Sequence, residues 1–190
     1  MSSTNRYLAA ERHVSDYYVT PIPAIVEFLR AFDPPVPKLI LDPCAGGDAK
    51  HAMSYPNAIK NHIGWNDSTI RTVDTREDSH ADVKADFLTW TPDHTYDMAI
   101  TNPPFNLALD VIKKCLTIVR PGGHVIMLLR LNFFGSQERS DWFKKNMPSF
   151  CYVHSKRLKF TGTSNTDSIE YMHAVWVVGE HPEFTRLKIL

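Results

Sequence analysis

Three short apolar runs, each closed on its carboxyl side by an acid or an amide, constrain this chain more than any other feature. Lys38-Leu39-Ile40-Leu41 ends at Asp42, Ile70-Arg71-Thr72-Val73 ends at Asp74, and Asp97-Met98-Ala99-Ile100-Thr101 leads into Asn102. Runs this short and this apolar read as strands buried on both faces, the habit of parallel sheets. The first is followed by Pro43-Cys44-Ala45-Gly46-Gly47-Asp48, a tight glycine turn with a helix expected from Ala49. Strand, glycine turn and helix open a nucleotide-binding βα unit, and glycine lets a ligand approach the backbone closely. Open α/β sheets bind their ligands beyond the carboxyl ends of the strands, which is where these polar residues would stand.

The rest of the chain keeps the alternation. Thr20 is an N-cap with Pro21 just inside, for a helix running to Phe32 and stopped by Asp33-Pro34-Pro35-Val36-Pro37. Asp74 follows Asp42 by 32 residues, with an insert around 55–67. A short third strand is expected over 82–87 and a helix over 107–119, with Leu109, Ile112, Leu116 and Val119 on one face. Arg120-Pro121-Gly122-Gly123 makes a turn before a fifth strand over 124–129. A loop and helix fill 131–147, strands follow over 149–154 and 172–178, and a basic loop joins them. This pattern predicts a parallel-rich α/β sheet covered on both faces.

Asn102-Pro103-Pro104-Phe105 is the most specific stretch. Asn102 and Pro103 each precede a proline, which forces an extended backbone, and neither proline has an N–H to donate. The stiff corner presents the Asn102 side-chain oxygen and the Pro103 carbonyl side by side. Two fixed acceptors suit an NH₂ group held by both hydrogens, and Phe105 offers a flat face to a planar group.

The 190 residues fit one domain, with a loose start at 1–12 and no room for a separate target-recognition domain. No apolar run approaches a membrane span, and Met1-Ser2-Ser3-Thr4-Asn5 has no signal core. Cys44, Cys115 and Cys151 are scattered, which excludes a zinc spacing or a disulfide framework and points to a reducing cytoplasm. The histidines show no ligand spacing, so no metal is expected. Residues 1–112 carry nine Lys/Arg against fifteen Asp/Glu, a balance of −6, and residues 113–190 carry twelve against six, a balance of +6. The basic segment over 130–159, with Arg130, Arg139, Lys144, Lys145, Lys156, Arg157 and Lys159, is the candidate surface for nucleic-acid phosphates.

Together these pieces resemble one family. Asp42-Pro43-Cys44-Ala45-Gly46-Gly47 is similar to the glycine loop of the S-adenosylmethionine-dependent amino-methyltransferases, and Asn102-Pro103-Pro104-Phe105 is their catalytic motif in its adenine-type form. Tyr18-Val19-Thr20-Pro21 resembles the segment that closes over the methionine end of the cofactor. Lys156-Arg157-Leu158-Lys159-Phe160-Thr161-Gly162 with Thr166-Asp167-Ser168-Ile169-Glu170-Tyr171 resembles the late signature of small phage-type DNA N6-adenine methyltransferases. The resemblance covers about residues 12–178. It implies a Rossmann-like methyltransferase fold of seven strands with the last antiparallel, S-adenosylmethionine as cofactor, DNA as partner, and a cytoplasmic location, that of the host if the chain is phage-encoded.

By the same resemblance, Tyr18, Thr20, Pro21, Asp42, Cys44, Ala45 and Gly46 surround the methionine part, with Thr20 at its carboxylate. Asp74 takes the ribose hydroxyls, and Asp86 and Phe87 meet the cofactor's adenine. Asn102 and Pro103 bind the target amine, Pro104 stiffens the corner, and Phe105 stacks on the target base. The chain departs from the pattern at Asp48, where the family has a glycine, and at Cys44, where it has phenylalanine. The same corner also serves methylation of adenine in RNA and of glutamine amides in proteins. A methyltransferase fold that has lost activity and only binds nucleic acid or a partner is the non-enzymatic alternative.

Overall fold

In the computed structural model of the protein, residues 18–160 and 168–190 are described. The expected loose start at 1–12, and Thr161, Gly162, Thr166 and Asp167 of the late signature, lie outside the described residues. Eight strands form one sheet: β1 (Leu39–Asp42), β2 (Thr69–Asp74), β3 (Val83–Lys84), β4 (Tyr96–Thr101), β5 (Val119–Arg130), β6 (Phe150–Val153), β7 (Tyr171–Val177) and β8 (Arg186–Ile189). Their order across the sheet is β3-β2-β1-β4-β5-β7-β6-β8. The first five run parallel, β7 lies antiparallel between β5 and β6, and β8 pairs parallel with β6.

The mostly parallel sheet is the expected one, with an additional eighth strand. Its sequence, Arg186-Leu187-Lys188-Ile189, carries no buried side chain. Its polar–apolar alternation spans four residues only and matches no buried face.

The central strands are buried on both faces, as their composition required. On one face Ile40, Met98, Ile100 and Ile126 pack under α1 (Ile22–Phe32) and the segment from α2 (Ser54–Asn57) into the π-helical turn Ala58–Ile63. On the other, Leu41, Ala99, Val125 and Met127 pack under α3 (Ala108–Ile118) and against Phe143 of α4 (Gln137–Phe143). Fully buried Ile25 and Phe28 of α1 each contribute roughly 1.5–3 kcal/mol over exposure.

Four local expectations change. Pro21, not Thr20, takes the cap position of α1, and no side chain caps the helix; the Pro21 carbonyl accepts from the Ala24 and Ile25 N–H groups. No helix begins at Ala49. Asp48 folds the chain back by accepting from the Lys50 and His51 N–H groups, and helix starts only at Ser54. The buried face of α3 is Ala108, Val111, Ile112 and Cys115, with Leu109 and Leu116 at its margins. Arg120–Gly123 forms no clean break before β5 but an irregularity within it: pairing with β4 jumps from Tyr96–Val119 to Met98–His124.

Candidate active site

The strand order puts the polar strand ends in a row. Asp74 ends β2, Asp42 ends β1, and Asn102 follows β4, so the three stand at the carboxyl ends of neighbouring strands. From β1 the chain works outward to β2 and β3, then returns to β4 on the opposite side, leaving a crevice at that reversal. There the structure has an open cleft, lined by residues that follow the ends of β1, β2 and β4.

Nine of the sequence-predicted residues line this cleft: Tyr18, Thr20, Cys44, Ala45, Asp74, Asp86, Phe87, Asn102 and Pro104. Pro21, Asp42, Gly46, Pro103 and Phe105 stand outside that lining. Asp42 and Pro103 are buried behind it. Pro21 begins α1, and Gly46 faces the end of β2. Sequence reading missed Ser54, Tyr55, Arg76, Leu107 and Val111, which also line the cleft. Leu107 and Val111 are one helical turn apart and offered a signal; Ser54 and Tyr55 belong to the insert and offered none.

The glycine loop is built by backbone constraints. Gly46 and Gly47 have φ of 64° and 76°, left-handed values that side chains resist. A Cβ on Gly47 would come within 2.7 Å of the Met53 side chain. The Gly46 N–H donates to Asp74 Oδ2 at 2.7 Å, and the Arg76 N–H donates to Asp74 Oδ1 at 2.9 Å. Asp74 thus ties the loop to β2, and each carboxylate oxygen keeps a lone pair for a ligand. Asp48 turns its carboxylate to its own segment and to the His51 ring at 3.1 Å, and is not part of the cleft lining.

Asp42 is fully buried, and burial pushes its carboxyl up to about 7, with Asp74 adding to the rise. The Cys44 N–H and the neighbouring Thr101 hydroxyl work against that rise. Yet Asp42 Oδ2 and Thr101 Oγ1 have no hydrogen-bond partner of ordinary geometry among the described residues. The Cys44 thiol is also held well above its usual range by burial, which makes it a packing group rather than a nucleophile.

Asn102 is fixed by its amide nitrogen, which donates to the Tyr18 carbonyl at 3.3 Å. Its Oδ1 is buried and has no donor among the described residues. A buried acceptor without a donor costs about 1–3 kcal/mol, so such an atom marks a place a ligand donor can fill. Phe105 leans into a small apolar cluster with Leu158, Phe160 and Tyr171, its ring 6.0 Å from that of Tyr171.

Of the predicted phosphate-binding cations, Lys156, Arg157 and Lys159 are exposed beside Leu158 and Phe160, close to Phe105. Arg157 lies 3.4 Å from Glu170. Arg130 lies over Phe105, and Arg139 lies over Phe133 while donating to its carbonyl. Lys144 and Lys145 are carried away from that rim by α4: the next residue, Asn146, accepts from the Trp176 indole, far down β7 from Tyr171. Lys144 is also paired with Asp141. Among the described residues no group of three or more His, Cys, Asp or Glu stands together as a metal site, and no helix is long and apolar enough to cross a membrane.

No model of a known protein family matches this chain, and no curated protein matches it. Solved structures do. A protein of Listeria monocytogenes described as a class I S-adenosylmethionine-dependent methyltransferase superposes with a TM-score of 0.65 at 15% identity, over 90% of this chain and 65% of that one. The M protein of the type I restriction enzyme EcoKI gives 0.60 at 14%, over 90% and 46%. A Pyrococcus horikoshii protein described as an RNA methyltransferase gives 0.58 at 12%, over 84% and 85%. The chain spans less than two thirds of the first two. The fold is therefore the Rossmann-like methyltransferase fold.

Proposed function

We propose that this chain transfers a methyl group from S-adenosylmethionine to the exocyclic N6 amine of adenine in DNA, within one domain and at a short or degenerate target. The observation that carries the reading is Asn102 Oδ1: a buried acceptor, oriented by the bond from its own amide to Tyr18, and without a donor among the described residues. An adenine amine supplies that donor.

The cleft suits the cofactor. Asp42 Oδ2, a second buried acceptor with no partner of ordinary geometry among the described residues, stands behind the cleft wall as an anionic partner for the cofactor's ammonium group. Asp74 and Asp86 offer acceptors to its ribose and adenine, and Phe87 is a ring on the same wall. When bound, S-adenosylmethionine supplies a methyl group already activated on a sulfonium.

The chain's own residues then have two tasks. Asn102 Oδ1 and the Pro103 carbonyl draw the two amine hydrogens, which turns the nitrogen lone pair out of conjugation and toward the methyl group. Phe105 stacks on the target ring. An adenine reaches such a cleft only by leaving its helix, so the reading entails base flipping. After transfer the cationic amine is acidic and loses its proton without a dedicated base.

The decisive experiment is a transfer assay with labelled S-adenosylmethionine on unmethylated DNA, RNA and protein, followed by digestion and mass spectrometry. N6-methyladenine in DNA is the expected product. Label in RNA or on glutamine keeps the mechanism and changes the substrate. Absence of both label and cofactor binding selects the non-enzymatic reading. The conformation of Asp48 weighs against that reading, since the residue that departs from the family's glycine is turned away from the cleft.

A further inference from the structure

Arg130 closes β5, one strand over from Asn102, and its guanidinium lies 4.1 Å from the centroid of the Phe105 ring. Its Nε donates weakly to the Tyr171 hydroxyl at 3.4 Å. Arg139, Lys144 and Arg157 each have a carbonyl or carboxylate partner. Arg130 differs: among the described residues no carboxylate lies within 4.0 Å of it. Among the described residues its charge is held by an aromatic face and a phenol.

Phe105 has two faces. One side of the ring is turned to the cluster with Tyr171, and Arg130 takes a face that a target base would need. A cation over an aromatic ring contributes about 0.5–2 kcal/mol, while a base stacked on the same ring contributes about 1–3 kcal/mol. A base can therefore displace the guanidinium. The displaced cation then needs an anion, and among the described residues the rim carboxylate of Glu170 is already engaged by Arg157. A nucleotide brings one in the phosphodiester next to the flipped base; a protein glutamine does not.

We infer that Arg130 is a specificity-determining residue. It occupies the base-stacking place of Phe105 in the free protein and exchanges it for a phosphate flanking the target adenine. Entry of the base and capture of its phosphate then become one event, and the site favours an adenine within a polynucleotide over free adenosine or an amide. This inference rests on the proposed adenine methylation.

The test compares wild type, Arg130→Met and Arg130→Lys on three substrates: an oligonucleotide carrying the mapped target, the same strand with uncharged methylphosphonates flanking the adenine, and deoxyadenosine. Calorimetry with S-adenosylmethionine checks that each variant is folded. Wild type should lose about tenfold in kcat/KM on neutralising the flanking phosphates, the size of one charge-assisted contact. Arg130→Met should show no such loss, and should methylate deoxyadenosine at least as well as wild type, its stacking place being open. Arg130→Lys should keep the sensitivity to the flanking charge, and Arg130→Gln, which should lose it, carries the test if Arg130→Met fails to bind cofactor. Equal sensitivity in wild type and Arg130→Met overturns the inference, as does an equal loss by Arg130→Met on all three substrates. Absence of transfer by wild type to the unmodified oligonucleotide overturns the adenine reading itself, and the inference with it.

Discussion

The side chain of Asn102 and the main chain of Tyr18 are joined by one hydrogen bond of 3.3 Å across 84 residues of sequence. It ties the segment before α1 to the end of β4 and decides which way the amide points. One N–H of the amide is engaged by Tyr18, and the oxygen has no donor among the described residues, which leaves it as an acceptor for a ligand.

Asn102→Ala should therefore abolish transfer while sparing the cofactor. A loss of about 10²–10³ in kcat is expected, as for other single preorganised dipoles. Calorimetry should show S-adenosylmethionine affinity largely unchanged. A parallel loss of binding and turnover would remove Asn102 from the target site.

Asp42 should make cofactor binding depend on pH. Its carboxyl ionises near 7 in the folded protein against an ordinary 3.8. Between those values the folded state holds a proton that the unfolded chain has released. The cofactor-free protein therefore loses stability as pH rises from about 4 to about 7. A cationic ligand needs the ionised form, so affinity for S-adenosylmethionine should rise from pH 6 to pH 8, with proton release on binding below 7. Asp42→Asn should flatten both profiles, raise the Tm of the free protein at pH 8, and weaken cofactor binding. Calorimetry in buffers of different ionisation enthalpy reads the proton count.

A buried polar chain acts with the opposite sign. The Tyr55 hydroxyl lies 3.1 Å from His173 Nε2, and His173 Nδ1 lies 2.9 Å from His154 Nε2. Burial holds His173 well below its ordinary 6.5, with His154 adding to the effect, and burial also lowers His154 despite the pull of Glu27. The unfolded chain takes up these protons first, so stability should fall as pH drops below about 6.5. The double variant Tyr55→Phe/His173→Leu should lose less stability than wild type between pH 7 and pH 5.5 in urea unfolding. An identical loss in both proteins would place the acid sensitivity elsewhere.

Lys114 should matter to the cofactor without touching it. From α3 its ammonium donates to the carbonyls of Phe87, Leu88 and Trp90 and lies 4.9 Å from the centroid of the Phe87 ring. It pins the turn whose Asp86, Phe87 and Leu88 form one wall of the cleft. Lys114→Met should raise KM for S-adenosylmethionine about five- to tenfold, the effect of about 1–1.4 kcal/mol, with kcat little changed. A fall in kcat at constant KM would show that the turn serves another step.

The parallel sheet and the row of polar strand ends follow from local residue patterns. Short apolar runs, prolines and glycines act on their nearest neighbours, so β1, β2, β4 and the corner at Asn102 were legible in order. The turn at Gly46 and Gly47 follows in the same way, because their backbone angles leave little else. The tertiary structure alone decided which atoms face the cleft. The start of α3 within its register, the place of Tyr55 over His173, the grip of Lys114 and the cover of Arg130 on Phe105 join residues from 24 to 118 positions apart. Such contacts come from how helices settle on a sheet, which no local pattern encodes. Strand β8 was missed for a related reason: four alternating residues are too short a pattern to read, they bury nothing, and the open edge of β6 gives them their place.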